Sequence, residues 1–182
     1  MFPTRPVVLV LDGLKTQETF HQDIETWLKF RANGGDTTRS LFYPAWEALP
    51  HEAKLPHADV VSERLETLVT LSAWASSKLK TQNSKPPLVV TSVSALLQRT
   101  FQPGHIRERT RVLKRGDHID PLDLVEWLED QGYEPEVQVN HKGEIALRGG
   151  IVDIFPLTSP WPVRLEFFGD ELESLQIGRA HV

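Results

Sequence analysis

The chain has 182 residues, of which 40% are hydrophobic and 25% charged, a composition typical of globular domains with a packed core. It has no cysteine, which excludes disulfides, thiolate metal sites and cysteine nucleophiles. No apolar run approaches the roughly 18 residues that a membrane helix needs, so we expect a cytoplasmic protein without membrane association.

Charge divides the chain unevenly. Residues 1–103 carry 11 Lys and Arg against 10 Asp and Glu, a net charge of +1, whereas residues 104–176 carry 8 against 15, a net charge of −7. A nucleic-acid groove needs a basic stripe that displaces counterions. The acidic second part therefore favours a protein partner.

The first part of the chain alternates strand and helix patterns. The continuous apolar run at residues 6–11 predicts a strand buried on both faces, and residues 40–43 and 88–93 predict two more strands. Apolar residues at helical spacing predict the helices between them: Leu14, Phe20, Ile24, Trp27 and Leu28 in the first, and Val61, Leu65, Leu68 and Val69 in the second. Right-handed crossovers turn this βαβαβ order into an open parallel sheet.

The pattern changes near residues 102–104. Residues 119–134 predict a helix with Asp120 as N-cap, Pro121 at its first position and Gly132 after its end. Period-two alternation then predicts a meander of antiparallel strands packed on that helix, at residues 136–140, 144–149, 150–156 and 162–169. The expected fold class is α/β, with an incomplete parallel sheet over residues 1–103 and a small α+β domain with an antiparallel sheet over residues 104–176.

No catalytic or phosphate motif is recognisable. The phosphate loop G-x-x-x-x-G-K-[ST] is absent, and its nearest counterpart, residues 34–40, lacks the lysine and precedes a strand. His51 begins like a zinc-protease motif, but Leu55 stands where the second histidine ligand would be. Ser92 and Ser94 lack a nucleophile elbow and are predicted to cap a helix.

Two charged runs are predicted to be solvated strand faces. The acidic residues 170–173 lack the spacing of calcium ligands. The basic residues 105–116 contain Arg107, Arg109 and Arg111 in alternation but no aromatic residue on which bases could stack. We therefore expect neither a metal site nor a nucleic-acid platform.

Three side chains are predicted to point outward from neighbouring strands: Arg148, Arg164 and Phe168. Arginine and aromatic residues dominate protein-binding hot spots. Other interpretations stay open, since Arg148 could pair with Glu144 or Glu166, and Phe168 could cover the helix or be buried by a neighbouring domain. The Gly149–Gly150 pair predicts a bulge or a close backbone approach.

Four segments carry a family resemblance: FYPAWEALPHEAKLPHADVVSERLETL, LVVTSVSALLQR, LRGGIVDIFP and RLEFFGDELESL. In this order, over residues 5–176, they resemble the N-terminal region of the bacterial transcription-repair coupling factors (Mfd). The last two motifs are shared with the excision-repair protein UvrB, whose N-terminal part is the alternative. The segment from Trp46 to Pro50 is more discriminating, because it lacks the tyrosine-rich hairpin with which UvrB would clamp DNA.

The resemblance implies a degenerate helicase-like domain over residues 1–103 that no longer hydrolyses ATP, followed by a UvrA-binding domain. The two arginines and the phenylalanine with which the family contacts UvrA fall on Arg148, Arg164 and Phe168. The implied function is a non-catalytic docking module that recruits UvrA in transcription-coupled nucleotide excision repair.

The resemblance also implies what this chain does not supply. By this resemblance, the chain needs no cofactor of its own, because ATP and magnesium serve a motor in other domains of such proteins. Those other domains would also contact RNA polymerase and DNA. The last residues, 177–182, read IGRAHV and resemble a translated sequencing adapter, so we expect a truncated gene with a non-native end.

Overall fold

The computed structural model describes residues 5–31, 39–47, 56–76 and 86–178. The chain divides into two compact units, residues 1–108 and residues 109–182. Within the described ranges, no helix is both long and apolar enough to cross a membrane. Several sequence predictions fall wholly or mainly outside those ranges: the glycine-rich stretch 33–38, the His51 motif, the surface loop after residue 76 and residues 179–182.

The first unit contains a parallel sheet. Its elements are β1 (Val7–Leu11), α1 (Leu14–Arg31), β2 (Ser40–Tyr43), α2 (Ala58–Ser76), β3 (Leu88–Ser92), α3 (Val93–Leu97) and α4 (Pro103–Glu108). The strands pair in the order β1-β3-β2, and both pairs are parallel. The predicted βαβαβ arrangement is confirmed, and so is the cap at Ser92, whose hydroxyl accepts the N–H of Ala95 at 3.3 Å.

The prediction that β1 is buried on both faces is wrong. Val7, Val8 and Val10 are all exposed, whereas Val89 and Val90 of β3 are buried. β1 and β2 are both edge strands, but α2 packs against β2, whose residues are mostly buried. A continuous apolar run does not distinguish an edge strand from a central one.

The predicted apolar face of α1 is only partly correct, since Ile24 and Leu28 are no more than half-buried. Leu14, Phe20 and Trp27 are exposed, while Gln17 is completely buried. The side-chain amide of Gln17 donates to the carbonyl oxygens of Tyr43 at 3.0 Å and Val90 at 3.1 Å. A polar side chain therefore ties this helix to two strands, which a search for apolar periodicity does not detect.

A buried arginine of α2, Arg64, packs against aromatic residues at and after the end of β2. The guanidinium of Arg64 lies between two aromatic rings, 4.2 Å from the centroid of Tyr43 and 4.2 Å from that of Trp46. It donates to the carbonyl oxygen of Pro44 at 2.6 Å and to the hydroxyl of Tyr43 at 2.7 Å. Desolvation by burial lowers the pKa of Arg64. This cation connects α2 to the segment that follows β2.

The second unit contains a five-stranded sheet. Its elements are α5 (Pro121–Asp130), β4 (Glu134–Pro135), β5 (Glu144–Arg148), β6 (Ile151–Ile154), β7 (Val163–Phe168) and β8 (Glu171–Ile177). The strand order is β4-β5-β6-β7-β8, and β5 to β8 form the predicted antiparallel meander.

The predicted strand at residues 136–140 is not present. The chain pairs with β5 at Glu134 and Pro135 instead, and this pairing is parallel, so the sheet is mixed rather than purely antiparallel. Val139 is buried by contact with Ala146 and not by strand pairing, so the alternation over five residues misidentified the segment.

Helix α5 forms as predicted. The carboxylate of Asp120 accepts the N–H of Leu122 at 2.7 Å, and Pro121 occupies the first turn. Gly132 follows the helix with a φ of 88°, a conformation that favours glycine. The buried core between α5 and one face of the sheet consists of Leu124, Leu128, Ile145, Val152, Ile154, Leu165 and Leu172.

The basic run at residues 105–116 is not a strand face. Its beginning lies in α4, and the residues that follow form no strand. Pro103 at the first position of α4 favours a helix start, and this outweighs the alternation of the arginines. Farther along, Arg111 lies 4.2 Å from the ring centroid of Trp127.

Replacing Arg64 with methionine should destabilise the first unit. We expect a loss of about 2–4 kcal/mol in the free energy of unfolding, because the carbonyl of Pro44 and the hydroxyl of Tyr43 lose a buried donor. Urea unfolding followed by tryptophan fluorescence measures the loss. Arg31→Met is the matched control, since Arg31 also lies over a tryptophan, at 5.2 Å from Trp27, but is exposed. Equal stability of the two variants would contradict the prediction.

Candidate protein-docking face

The face of the sheet opposite α5, called the outer face below, is defined by two rows of paired residues. One row contains Ala146, Asp153, Arg164 and Gln176, and the next contains Arg148, Ile151, Glu166 and Ser174. Paired residues of antiparallel strands project to the same side of the sheet. Arg148 and Arg164 therefore share the outer face.

Phe168 lies on the same face. Phe167 packs against the core on the α5 side, so Phe168, the next residue of β7, points the other way. Its exposed fraction is 76%. Because α5 lies on the opposite side of the sheet, the interpretation that Phe168 covers this helix is excluded.

The three residues do not lie on neighbouring strands as predicted. Arg148 ends β5, whereas Arg164 and Phe168 belong to β7, and β6 runs between them. The outer face therefore holds them across three strands, with the side chains of β6 between them.

Arg164 is less exposed than predicted. Its Nε donates to Asp153 Oδ1 at 2.8 Å and its Nη2 donates to Oδ2 at 2.9 Å. Only 15% of the Arg164 side chain and 4% of the Asp153 side chain are exposed. The hydrogen bond that Arg164 donates to the carboxylate of Asp153 raises the pKa of Arg164. Sequence reasoning missed Asp153, although a lone aspartate inside the apolar run IVDIF indicated a buried partner.

Arg148 is exposed, and its Nη2 donates to the carbonyl oxygen of Val137. The alternative pairings with Glu144 or Glu166 do not occur among the described residues. Glu144 accepts backbone N–H groups instead, and Glu166 accepts the side-chain amide of Gln176 at 3.3 Å. Each arginine of the outer face is thus held by an acceptor of the domain itself.

A short segment, residues 136–140, covers part of the outer face and supplies the acceptor for Arg148. Val139 in this cover segment is completely buried against Ala146, with Phe155 beside them. The carboxylate of Glu144 accepts the N–H groups of Asn140 at 2.6 Å and His141 at 2.8 Å, which fixes the end of the segment. Contact with Ala146, rather than strand pairing, explains why Val139 is buried.

The Gly149–Gly150 pair forms the turn between β5 and β6. Gly149 has a φ of 59°, and a Cβ on Gly150 would lie 2.6 Å from the carbonyl oxygen of Phe167. The carbonyl oxygen of Gly150 accepts the N–H of Phe167 at 2.7 Å. The predicted close backbone approach is confirmed at Gly150. It holds the β5–β6 turn, which follows Arg148, against Phe167, which precedes Phe168.

No group of three or more His, Asp or Glu side chains in the described part of the chain could hold a metal ion. In the acidic run, Asp170 lies in the turn before β8, with its Oδ2 3.3 Å from Nδ1 of His118. The chemistry of the outer face is therefore that of an aromatic ring, two guanidinium groups and the acceptors that hold them.

Replacing Gly150 with alanine should destabilise the second unit by about 1–3 kcal/mol, because the new methyl group overlaps a backbone carbonyl that cannot rotate away. Thermal unfolding followed by circular dichroism measures the change. Gly104→Ala is the control, since a Cβ there meets nothing within 4 Å. If Gly150→Ala is as stable as the control, the close approach is not a constraint.

The stability that Glu144 contributes should depend on pH. Desolvation alone would raise the pKa of Glu144, but the N–H groups of Asn140 and His141 outweigh it, so the pKa is lowered. A lowered pKa means that the contribution is present above the unfolded-state value of about 4.3 and is lost as the pH falls through the folded value. We expect the stability difference between the wild type and Glu144→Gln, measured by urea unfolding, to shrink from pH 7 to pH 3. A constant difference would contradict this.

Residues 112–180 match the family model described as the UvrB interaction domain. The chain is 31% identical over 173 residues to the transcription-repair-coupling factor of Escherichia coli K12, covering 94% of this chain and 13% of that protein. It is 36% identical over 136 residues to that of Haemophilus influenzae, covering 74% and 11%. It is 42% identical over 147 residues to that of Mycobacterium tuberculosis, covering 79% and 11%.

The chain thus spans 11 to 13% of the length of these three relatives. The resemblance inferred from the sequence is confirmed. The chain is related along most of its length to a segment of the transcription-repair-coupling factors, and residues 112–180 carry the sequence of a UvrB interaction domain.

Proposed function

We propose that the second unit docks UvrA through its outer face and so serves, in the bacterial cytoplasm, as the recruiting module of a transcription-repair coupling factor in nucleotide excision repair. The match of residues 112–180 to a UvrB interaction domain supports the class of partner. The observation that carries the proposal is the exposed ring of Phe168 on the same face as Arg148 and Arg164.

The chemistry of this face favours a specific kind of receptor. A phenylalanine that is 76% exposed on a rigid strand can enter an apolar pocket at little cost in side-chain entropy. Guanidinium groups beside it can donate to carboxylates at the rim of such a pocket. We therefore propose that UvrA presents an apolar pocket flanked by acidic side chains.

The surrounding charge favours short-range recognition. Residues 109–182 carry 8 Lys and Arg against 14 Asp and Glu, a net charge of −6, so the second unit as a whole repels an acidic partner at long range. Binding then depends on local hydrogen bonds of the arginines, which salt screens less than it screens a long-range field. A steep salt dependence together with DNA affinity would instead support the UvrB-like alternative.

The proposal assigns this chain no catalysis and no cofactor. The sequence offers no phosphate loop, and the outer face offers donors and an aromatic ring rather than a nucleophile. Contacts with RNA polymerase and DNA, and the use of ATP and magnesium, are assigned to other domains of the related proteins.

Phe168→Ala and Arg148→Glu should each weaken binding to purified UvrA by about 2 kcal/mol, or roughly 30-fold, because each removes one anchor. Surface plasmon resonance with the full chain immobilised measures the dissociation constant. Phe30→Ala and Arg115→Glu, which make the same changes at exposed residues that do not belong to the outer face, should bind as the wild type does. Wild-type affinity of Phe168→Ala would remove the basis of the proposal.

A further inference from the structure

Asp153 is a buried carboxylate in the middle of the outer face. It lies on β6, opposite Ala146 on one side and Arg164 on the other. Ala146 is itself covered by Val139 of the cover segment. A carboxylate so shielded from water is stable only when its oxygens are hydrogen-bonded. Both of its oxygens accept from Arg164.

We infer that Asp153 is a positioning residue of the docking face, which orients Arg164 so that the end of its guanidinium group meets a carboxylate of the partner. This inference rests on the proposed function, because it presupposes that Arg164 contacts UvrA. The inference goes beyond that function in two respects. It names Asp153, a residue that does not contact the partner, and it specifies how the guanidinium group of Arg164 meets the partner's carboxylate.

The geometry follows from the two hydrogen bonds. A guanidinium group carries five N–H bonds in one plane. Asp153 takes the edge formed by Nε and Nη2 of Arg164. Of the three N–H bonds that are left, one on Nη1 and one on Nη2 are parallel and point along the end of the side chain. Two parallel donors match the two oxygens of a carboxylate.

Orientation before binding has a measurable effect. Immobilising a long side chain at an interface costs about 0.5–1.5 kcal/mol, which corresponds to roughly 2- to 13-fold in the dissociation constant. Asp153 has already fixed Arg164 in the free domain, so this cost does not recur on binding. Arg148 is held in the same manner by the carbonyl oxygen of Val137, but a backbone acceptor cannot be removed by substitution.

The test is a double-mutant cycle on UvrA binding. Asp153→Asn keeps the size of the side chain but no longer accepts both N–H groups, so we expect binding to weaken roughly 3- to 10-fold. In an Arg164→Ala background the same substitution should have no further effect, because the group that it positions is gone. Asp130→Asn changes the net charge equally on α5, on the opposite side of the sheet, and should bind as the wild type does.

The outcomes separate this inference from the proposed function. If Arg164→Ala binds as tightly as the wild type, Arg164 is not an anchor and the proposed function fails at that residue. If Arg164→Ala weakens binding but Asp153→Asn does not, the positioning role is wrong and the proposed function stands. If Asp153→Asn weakens binding equally in both backgrounds, Asp153 acts through the fold, which also overturns the inference.

A second variant covers the case in which Asp153→Asn does not fold, as judged by its circular dichroism spectrum. Arg164→Lys leaves Asp153 with a cationic partner, but an ammonium group bound to Asp153 has no parallel pair of donors for a second carboxylate. We expect it to weaken binding nearly as much as Arg164→Ala. Binding equal to that of the wild type would overturn the inference.

Discussion

The second unit depends on a single constraint: among its described residues, one helix, α5, packs against the sheet, and it covers only one of the two faces. Leu124 and Leu128 of that helix bury the inner residues of β5 to β8. Strand alternation necessarily sends every other side chain to the uncovered side. The outer face must therefore carry residues that tolerate water or cover one another.

Different residues shield the outer face from water in its different parts. Near β5, the cover segment lays Val139 on Ala146, and near β6 and β7 the ion pair between Asp153 and Arg164 excludes water. At the end of β7, nothing in the described residues covers Phe168. Phe168 is therefore a large apolar side chain that this face leaves in contact with water.

Sequence reasoning succeeded where the signal was local. The caps of α5, the close backbone approach at Gly150 and the outward direction of Phe168 follow from residue type and from period-two alternation, and the structure has all three. It failed where burial depends on distant residues. The edge position of β1 and the burial of Gln17 follow from strand order and from backbone carbonyls far along the chain, which no local period encodes.

The candidate site shows the same division between local and distant signals, as a comparison of the buried Arg64 with the half-buried Arg164 illustrates. Arg64 in the first unit lies between two aromatic rings and donates to neutral oxygens, so contacts within the unit explain its burial. Arg164 is paired with the carboxylate of Asp153 along the edge formed by Nε and Nη2, and no hydrogen bond to the described residues engages its Nη1. Alternation predicts that Arg164 points outward, but only the register of β6 and β7 identifies Asp153 as the residue opposite it. The pair of Asp153 and Arg164 orients the guanidinium group more than it stabilises the core, since buried ion pairs are weakly stabilising in themselves.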